Sequence, residues 1–94
     1  MPYEWDEAKR RLNFHKHGVD FADIASFEWA RAVIRADVRM NYGEARLNAV
    51  GPVGDLLHVV IYTIRRTSLR LISFRRANRK ELALYVTETQ GSNG

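Results

Sequence analysis

The chain has 94 residues, 46% of them hydrophobic and 28% charged, with no cysteine. That is enough for one domain with a modest core, and it excludes a disulfide framework, a thiolate metal site and a disordered chain. The net charge is +4, and its distribution says more than its sum. Residues 65–80 hold Arg65, Arg66, Arg70, Arg75, Arg76, Arg79 and Lys80 and no acid, while Glu4, Asp6, Glu7, Asp20, Asp23 and Glu28 all lie within residues 1–29. Such a block is either the footprint of a polyanionic partner or a solvated face.

The opening residues Met-Pro-Tyr-Glu-Trp-Asp-Glu carry charge where a secretory signal needs an apolar stretch. The longest apolar-rich run, Leu56 to Ile64, is far shorter than the roughly 20 residues that span a bilayer. A cytoplasmic protein without a membrane partner is expected.

Asp6 is placed to cap a helix running to His17, with Ala8 and Leu12 on its apolar side and Gly18 as the glycine that ends it. Asp20 starts a second helix, in which Val19 and Ile24 make a hydrophobic staple and Phe21, Ile24 and Ala25 an apolar stripe. Four strands come next. Arg31 to Arg39 alternates apolar and charged, Asn41-Tyr42-Gly43 turns, and Glu44 to Val50 alternates again. Gly51 to Gly54 reads as a turn by composition. Leu56 to Ile64 is nearly all apolar and therefore central, and Arg65 to Ser68 is the next turn. Leu69 to Arg75 places Arg70, Ile72 and Phe74 on one face and Leu71, Ser73 and Arg75 on the other. Asn78 and Glu81 then form a capping box for a third helix whose stripe is Leu82, Tyr85 and Val86. The predicted fold is α+β: two N-terminal helices, a four-stranded antiparallel meander and a C-terminal helix, with the helices on one face. Residues 1–88 form a single domain and residues 89–94, rich in Gly and Ser, a disordered tail.

The sequence contains no glycine-rich phosphate loop and no His-Glu-x-x-His, and His15 and His17 point to different sides of a helix, so neither a metal nor a cofactor is expected. His17 is either a proton carrier or a favourable charge at a helix C-terminus. Lys9 and Lys16 either reach a phosphate or are solvated. Arg70, Arg75 and Arg79 suit phosphate, because a guanidinium donates two parallel hydrogen bonds and keeps its charge. Glu81 is a general base or only half of the capping box. Tyr85 is a proton donor, a stacking platform or a core residue.

Glu4-Trp5-Asp6, Lys9, Asn13 and Lys16-His17-Gly18-Val19-Asp20-Phe21 resemble the opening motif of the BrnT family. Arg70-Leu71-Ile72-Ser73-Phe74-Arg75-Arg76-Ala77, with Glu81 and Tyr85, resembles its closing motif. The resemblance implies a toxin of a bacterial type II toxin–antitoxin pair with a RelE-like fold, a ribonuclease that blocks translation. It also implies a BrnA-like antitoxin that carries a DNA-binding domain, with promoter DNA bound only through the complex. A metal-independent endoribonuclease of this kind needs a base, an acid and cations around the phosphate. Arg70 and Arg75 are then expected at the phosphate, His17 or Glu81 as proton acceptor and Tyr85 as donor or stacking surface. Lys9, Lys16, Arg65, Arg66, Arg76, Arg79 and Lys80 are expected to bind RNA. The rival readings are a non-catalytic RNA- or DNA-complex binding module of a transcriptional autoregulator, and a protein that only docks a partner; phosphate binding needs the same arginines whether or not a bond is cleaved.

Overall fold

A computed structural model of the chain describes residues 2–39 and 43–91. The first helix, α1 (Glu7–His17), begins where Asp6 accepts from the Ala8 and Lys9 N–H groups at 2.8 and 3.2 Å. It ends at Gly18, whose left-handed φ of 71° returns its N–H to the Phe14 carbonyl. Both ends match the sequence reading, but the inward face does not. Arg10, Asn13 and His17 form the stripe turned towards the protein, while Ala8 is exposed and Leu12 is 69% exposed. The buried side of α1 is therefore polar. The Arg10 fork grips Asp20 at 2.8 and 3.0 Å and holds that carboxyl at about 2.

Asp20 caps the next segment, as expected, through the Ala22 N–H. The chain then winds into two 3-10 helices, Phe21–Ser26 and Trp29–Arg31, in place of a second α-helix. Residues i and i+3 eclipse in a 3-10 helix, which brings Phe21 and Ile24 side by side into the core with Val19.

The sheet has the order β1-β5-β4-β3-β2. Strands β2 (Val33–Ala36), β3 (Leu47–Val53), β4 (Leu56–Arg65) and β5 (Ser68–Arg76) are antiparallel neighbours. A two-residue strand, β1 (Tyr3–Glu4), adds parallel to Leu69 and Arg70. The sheet is thus five-stranded and mixed, not a four-stranded meander. Strand β2 is shorter than the alternation predicts, because residues 29–31 are wound and Asp37 is turned inward, its side chain 2% exposed and gripped by Arg39. Of the turn expected at residues 41–43, residues 41 and 42 lie outside the described residues.

Gly51 and Pro52 belong to β3, and the turn falls at Gly54-Asp55. Proline is tolerated there because its partner Leu57 turns its carbonyl the other way, to the Ala77 N–H, so Pro52 owes β4 no ladder bond. Its own carbonyl accepts from the Glu28 N–H. Glycine is needed at 51 because a Cβ would stand 2.9 Å from the Phe27 ring and 3.3 Å from the Ala32 backbone.

Strand β5 also departs from simple alternation. Ile61 faces Ser73 but Tyr62 faces Leu71, so Ile72 is an extra, bulged residue. The bulge changes the phase: Leu69, Leu71 and Phe74 all enter the core, and Arg70 and Arg75 share the opposite face instead of lying on different ones. Strand β4 is buried from His58 to Thr63, on both faces, as its nearly all-apolar run predicts. The helices are accordingly divided between the faces. The 3-10 segments cover the core side, and α2 (Arg79–Gly91) lies over β2 on the other.

Helix α2 opens with the predicted reciprocal bonds between Asn78 and Glu81, both 2.8 Å. Its expected apolar stripe does not pack: Leu82 and Val86 are exposed, and the helix is tied down by polar contacts. The Tyr85 hydroxyl donates to the Arg31 carbonyl at 2.7 Å, and Glu88 pairs with Arg35. The helix runs on to Gly91, into the segment read as a tail, with the Thr89 hydroxyl bonded back to the Tyr85 carbonyl.

Helix α1 is fastened to the sheet by Asn13. Among the described residues no strand lies beside the outer edge of β5 beyond Arg70, and the buried Asn13 amide stands there instead. Its Oδ1 accepts from the Phe74 N–H at 3.1 Å, and its Nδ2 donates to the Phe74 carbonyl at 2.7 Å and the Val19 carbonyl at 3.1 Å. Asn13→Ala leaves these backbone groups buried without partners and is expected to cost about 2–4 kcal/mol. This is read as a lower urea midpoint at unchanged slope. Acid weakens a second fastening. The Asp20 carboxyl is lowered from 3.8 to about 2, so the stability it adds is present above about pH 4 and lost as pH falls through about 2. The thermal midpoint of the protein should fall over that window, and the Asp20→Asn variant should show a smaller fall.

Candidate active site

Two grooves open beside the C-terminal half of β5. The first, of about 280 Å³, lies between α1 and the bulged edge, where Lys9, Asn13, Lys16 and His17 face Ile72 and Ser73. Helical spacing does this: positions 9, 12, 13 and 16 share one side of α1, and Asn13 presses that side against β5. The second, of about 340 Å³, lies between α2 and the far face of β2 and β3, with Arg75 and Glu81 at its margin.

Arg75 is fixed in direction. Its Nη1 and Nη2 donate to the two oxygens of Glu81, both at 2.8 Å, and Nη1 also to the Arg76 carbonyl. Glu81 in turn accepts from the Asn78 N–H, so one carboxylate both caps α2 and orients Arg75. That grip holds the Glu81 carboxyl below the usual carboxylate range and the Arg75 guanidinium above its own. A carboxylate so stabilised is a weak proton acceptor.

His17 is half-buried at the end of α1. Burial first, then the charges of Lys16 and Arg75, push its pKa below 6.5. Burial and both charges favour the neutral imidazole. Lys9, Lys16, His17, Arg75 and the Glu81 that holds Arg75 are therefore the sequence-predicted residues that the fold brings into one neighbourhood.

Others lie elsewhere. Arg70 is five positions before Arg75, about 15 Å along the strand, and faces Glu4 of β1 at 3.8 Å. Arg65 pairs with Glu44, and Arg66 occupies the β4–β5 turn with a φ of 53°. These three are at the opposite end of the sheet from Arg76, Arg79 and Lys80, which are exposed around the start of α2. The basic block of the sequence is thus split between two ends of the molecule. Tyr85 comes one turn after Glu81 and lines the second groove, its hydroxyl engaged by Arg31. Among the described residues no three His, Asp or Glu side chains gather as a metal would require.

Three features of the site escape sequence reading. Asn13 belongs to the family-like motif, yet nothing local marks it as the buried residue of its helix. Asp37 and Arg39 sit at the end of an alternating strand and give no sign of their pairing. Asn48 enters the second groove from β3, opposite Arg35.

A family model described as the ribonuclease toxin BrnT of type II toxin–antitoxin systems matches residues 5–81. The match takes in the whole first groove and ends on the Glu81 that holds Arg75; Tyr85 lies beyond it. No curated protein matches the chain. The surroundings of His17 have a measurable consequence. By NMR its imidazole should titrate below 6.5. In Arg75→Ala, which removes a nearby cation and leaves the Glu81 carboxylate uncompensated, the titration should move upward.

Proposed function

The chain belongs to the BrnT family of ribonuclease toxins of type II toxin–antitoxin systems, and we propose that it cleaves RNA at the first groove without a metal, using the substrate's own 2′-hydroxyl as nucleophile. The observation that carries this reading is the half-buried His17 lining the first groove with Lys9 and Lys16, while Arg75, two residues beyond Ser73 of the same groove, is held in direction by Glu81. His17 takes the 2′-hydroxyl proton, the 2′-oxygen attacks the adjacent phosphorus, and the bond from phosphorus to the 5′-oxygen breaks. The products are a 2′,3′-cyclic phosphate and a 5′-hydroxyl. Arg75, with Lys9 and Lys16, stabilises the charge that grows on the phosphorane. The ammonium of Lys9 or Lys16 supplies the proton to the leaving oxygen. Glu81 acts as a positioning residue for Arg75, and Tyr85, its hydroxyl already committed, forms a wall. Arg76, Arg79 and Lys80 extend the track for the RNA backbone, while Arg65, Arg66 and Arg70 guide it from the far end of the sheet.

We further infer that the neutralising partner is a BrnA-like antitoxin with a DNA-binding domain and that the complex, not the toxin alone, occupies promoter DNA. The chain then acts in the cytoplasm by arresting translation, on a RelE-like scaffold. Family membership supports these points, and among the described residues no helix is long and apolar enough to cross a membrane.

The test uses the full chain freed of any partner, with a defined RNA in EDTA. Wild-type protein should leave 2′,3′-cyclic phosphate ends. Removing one positioned group should cost about 10²–10³ in rate for Arg75→Ala, and Arg75→Lys, which keeps the charge but loses the fork, should recover only part of it. His17→Ala should lose the activity and growth arrest together. Full activity of the His17 and Arg75 variants at equal folded concentration would overturn the assignment.

A further inference from the structure

The second groove has no part in the chemistry above, although Arg75 lines it. We propose that it is the subsite for the nucleobase adjoining the scissile phosphate and that Asn48 reads an adenine there; this rests on the ribonuclease reading.

Position comes first. Ser73 lines the first groove and Arg75, two residues on along β5, lines the second, so a phosphate held by Arg75 beside the first groove has its neighbouring nucleoside at the mouth of the second. The walls suit a base. Val33, Val50 and Leu84 are apolar, and the Tyr85 ring is held still by its hydroxyl bond to the Arg31 carbonyl. Single-stranded bases are taken up by such surfaces, on aromatic rings and on guanidinium planes. Two further guanidinium groups, Arg35 and Arg39, close the β2 side, and each is held by a carboxylate, Glu88 and Asp37.

Asn48 supplies the specificity. It enters the groove from β3, and among the described residues its side-chain amide makes no hydrogen bond. It presents one donor group and one acceptor side by side. Adenine answers that pair through N7 and N6, whereas guanine offers two acceptors on the same edge; the pyrimidines also set a donor beside an acceptor, but their smaller rings cover less of the apolar walls and the Tyr85 ring. A partner helix fits less well. It is about 10 Å across, and seating its apolar face would strip water from the three arginine–carboxylate pairs at the rim.

Binding is separated from cleavage by 2′-O-methyl tetranucleotides of A, G, C and U, in which the nucleophile is blocked, titrated into the full chain and followed by NMR. The A oligomer should bind roughly tenfold or more tightly than the U oligomer and shift the Asn48 amide and Val50 methyl signals. Asn48→Ala should abolish the preference while shifts at Lys9 and Lys16 persist. Asn48→Asp, an acceptor only, should turn the preference towards cytosine. Equal binding of all four oligomers, or shifts confined to the first groove, would overturn the subsite. So would an acidic helical peptide that moves the Asn48 and Val50 signals when no oligomer does, which would make the groove a protein dock. The EDTA cleavage assay separates the two claims. Cleavage with no base preference rejects the subsite alone, and adenine binding without cleavage rejects the ribonuclease reading alone.

Discussion

One side-chain amide stands where a sixth strand would otherwise have to be. Strand β5 is covered by β4 along its length but by β1 only at Leu69 and Arg70, and the remaining edge is met by Asn13. An amide carries a donor and an acceptor like a peptide group, so it satisfies the edge residue Phe74 as a strand would. The distance of α1 from β5 is set by that contact, with Arg10 on Asp20 as a second fastening. His17 lies one turn later on the same inward stripe, and Lys9 and Lys16 flank it. On the strand side, the bulge at Ile72 lets Phe74 bury its ring in the core while its backbone serves Asn13.

That contact also divides labour among the charged groups. The oriented arginine at the site is neutralised by its own carboxylate, so Arg75 contributes direction more than net charge. The uncompensated positive charge comes from the lysines of α1, which the bulk of the sheet keeps on one side. Arg65 and Arg66 cannot add to it directly, because the length of β5 separates them from His17. A count of basic residues between positions 65 and 80 therefore overstates the charge at any one place, and understates the part played by a helix that is far away in sequence.

Much of this was legible in the sequence, for identifiable reasons. Both caps of α1, the Asn78–Glu81 box and the buried β4 are local or near-local patterns, and each is where its chemistry puts it. The two motifs that resemble BrnT supplied the right family, and the fold brings His17 of the first motif near Arg75 of the second. The failures share a cause. Strand β1 consists of two residues paired with a distant strand, and no local pattern announces it. The inward face of α1 is Arg10, Asn13 and His17, so a search for apolar periodicity settles on Ala8 and Leu12, which are exposed. The bulge in β5 defeats a strict period of two and misplaces Arg75 relative to Arg70. At Gly51-Pro52, composition signals a turn, but the need was for space beneath Phe27 and for an edge that requires no N–H.

The contact between α1 and β5 also sets an order in time. Asn13 and Phe74 are 61 positions apart, and Tyr3 finds its partner only at Leu69. Helix α1 can wind as soon as it is made, and Arg10 can tie it to the nearby Asp20, but nothing joins it to the sheet until β5 exists, and contacts that close so long a loop favour late formation. A nascent or truncated chain that stops before residue 74 has its lysines and its histidine but no wall to face them. The groove between α1 and β5 belongs only to the nearly finished molecule, because its two walls are made at opposite ends of the synthesis.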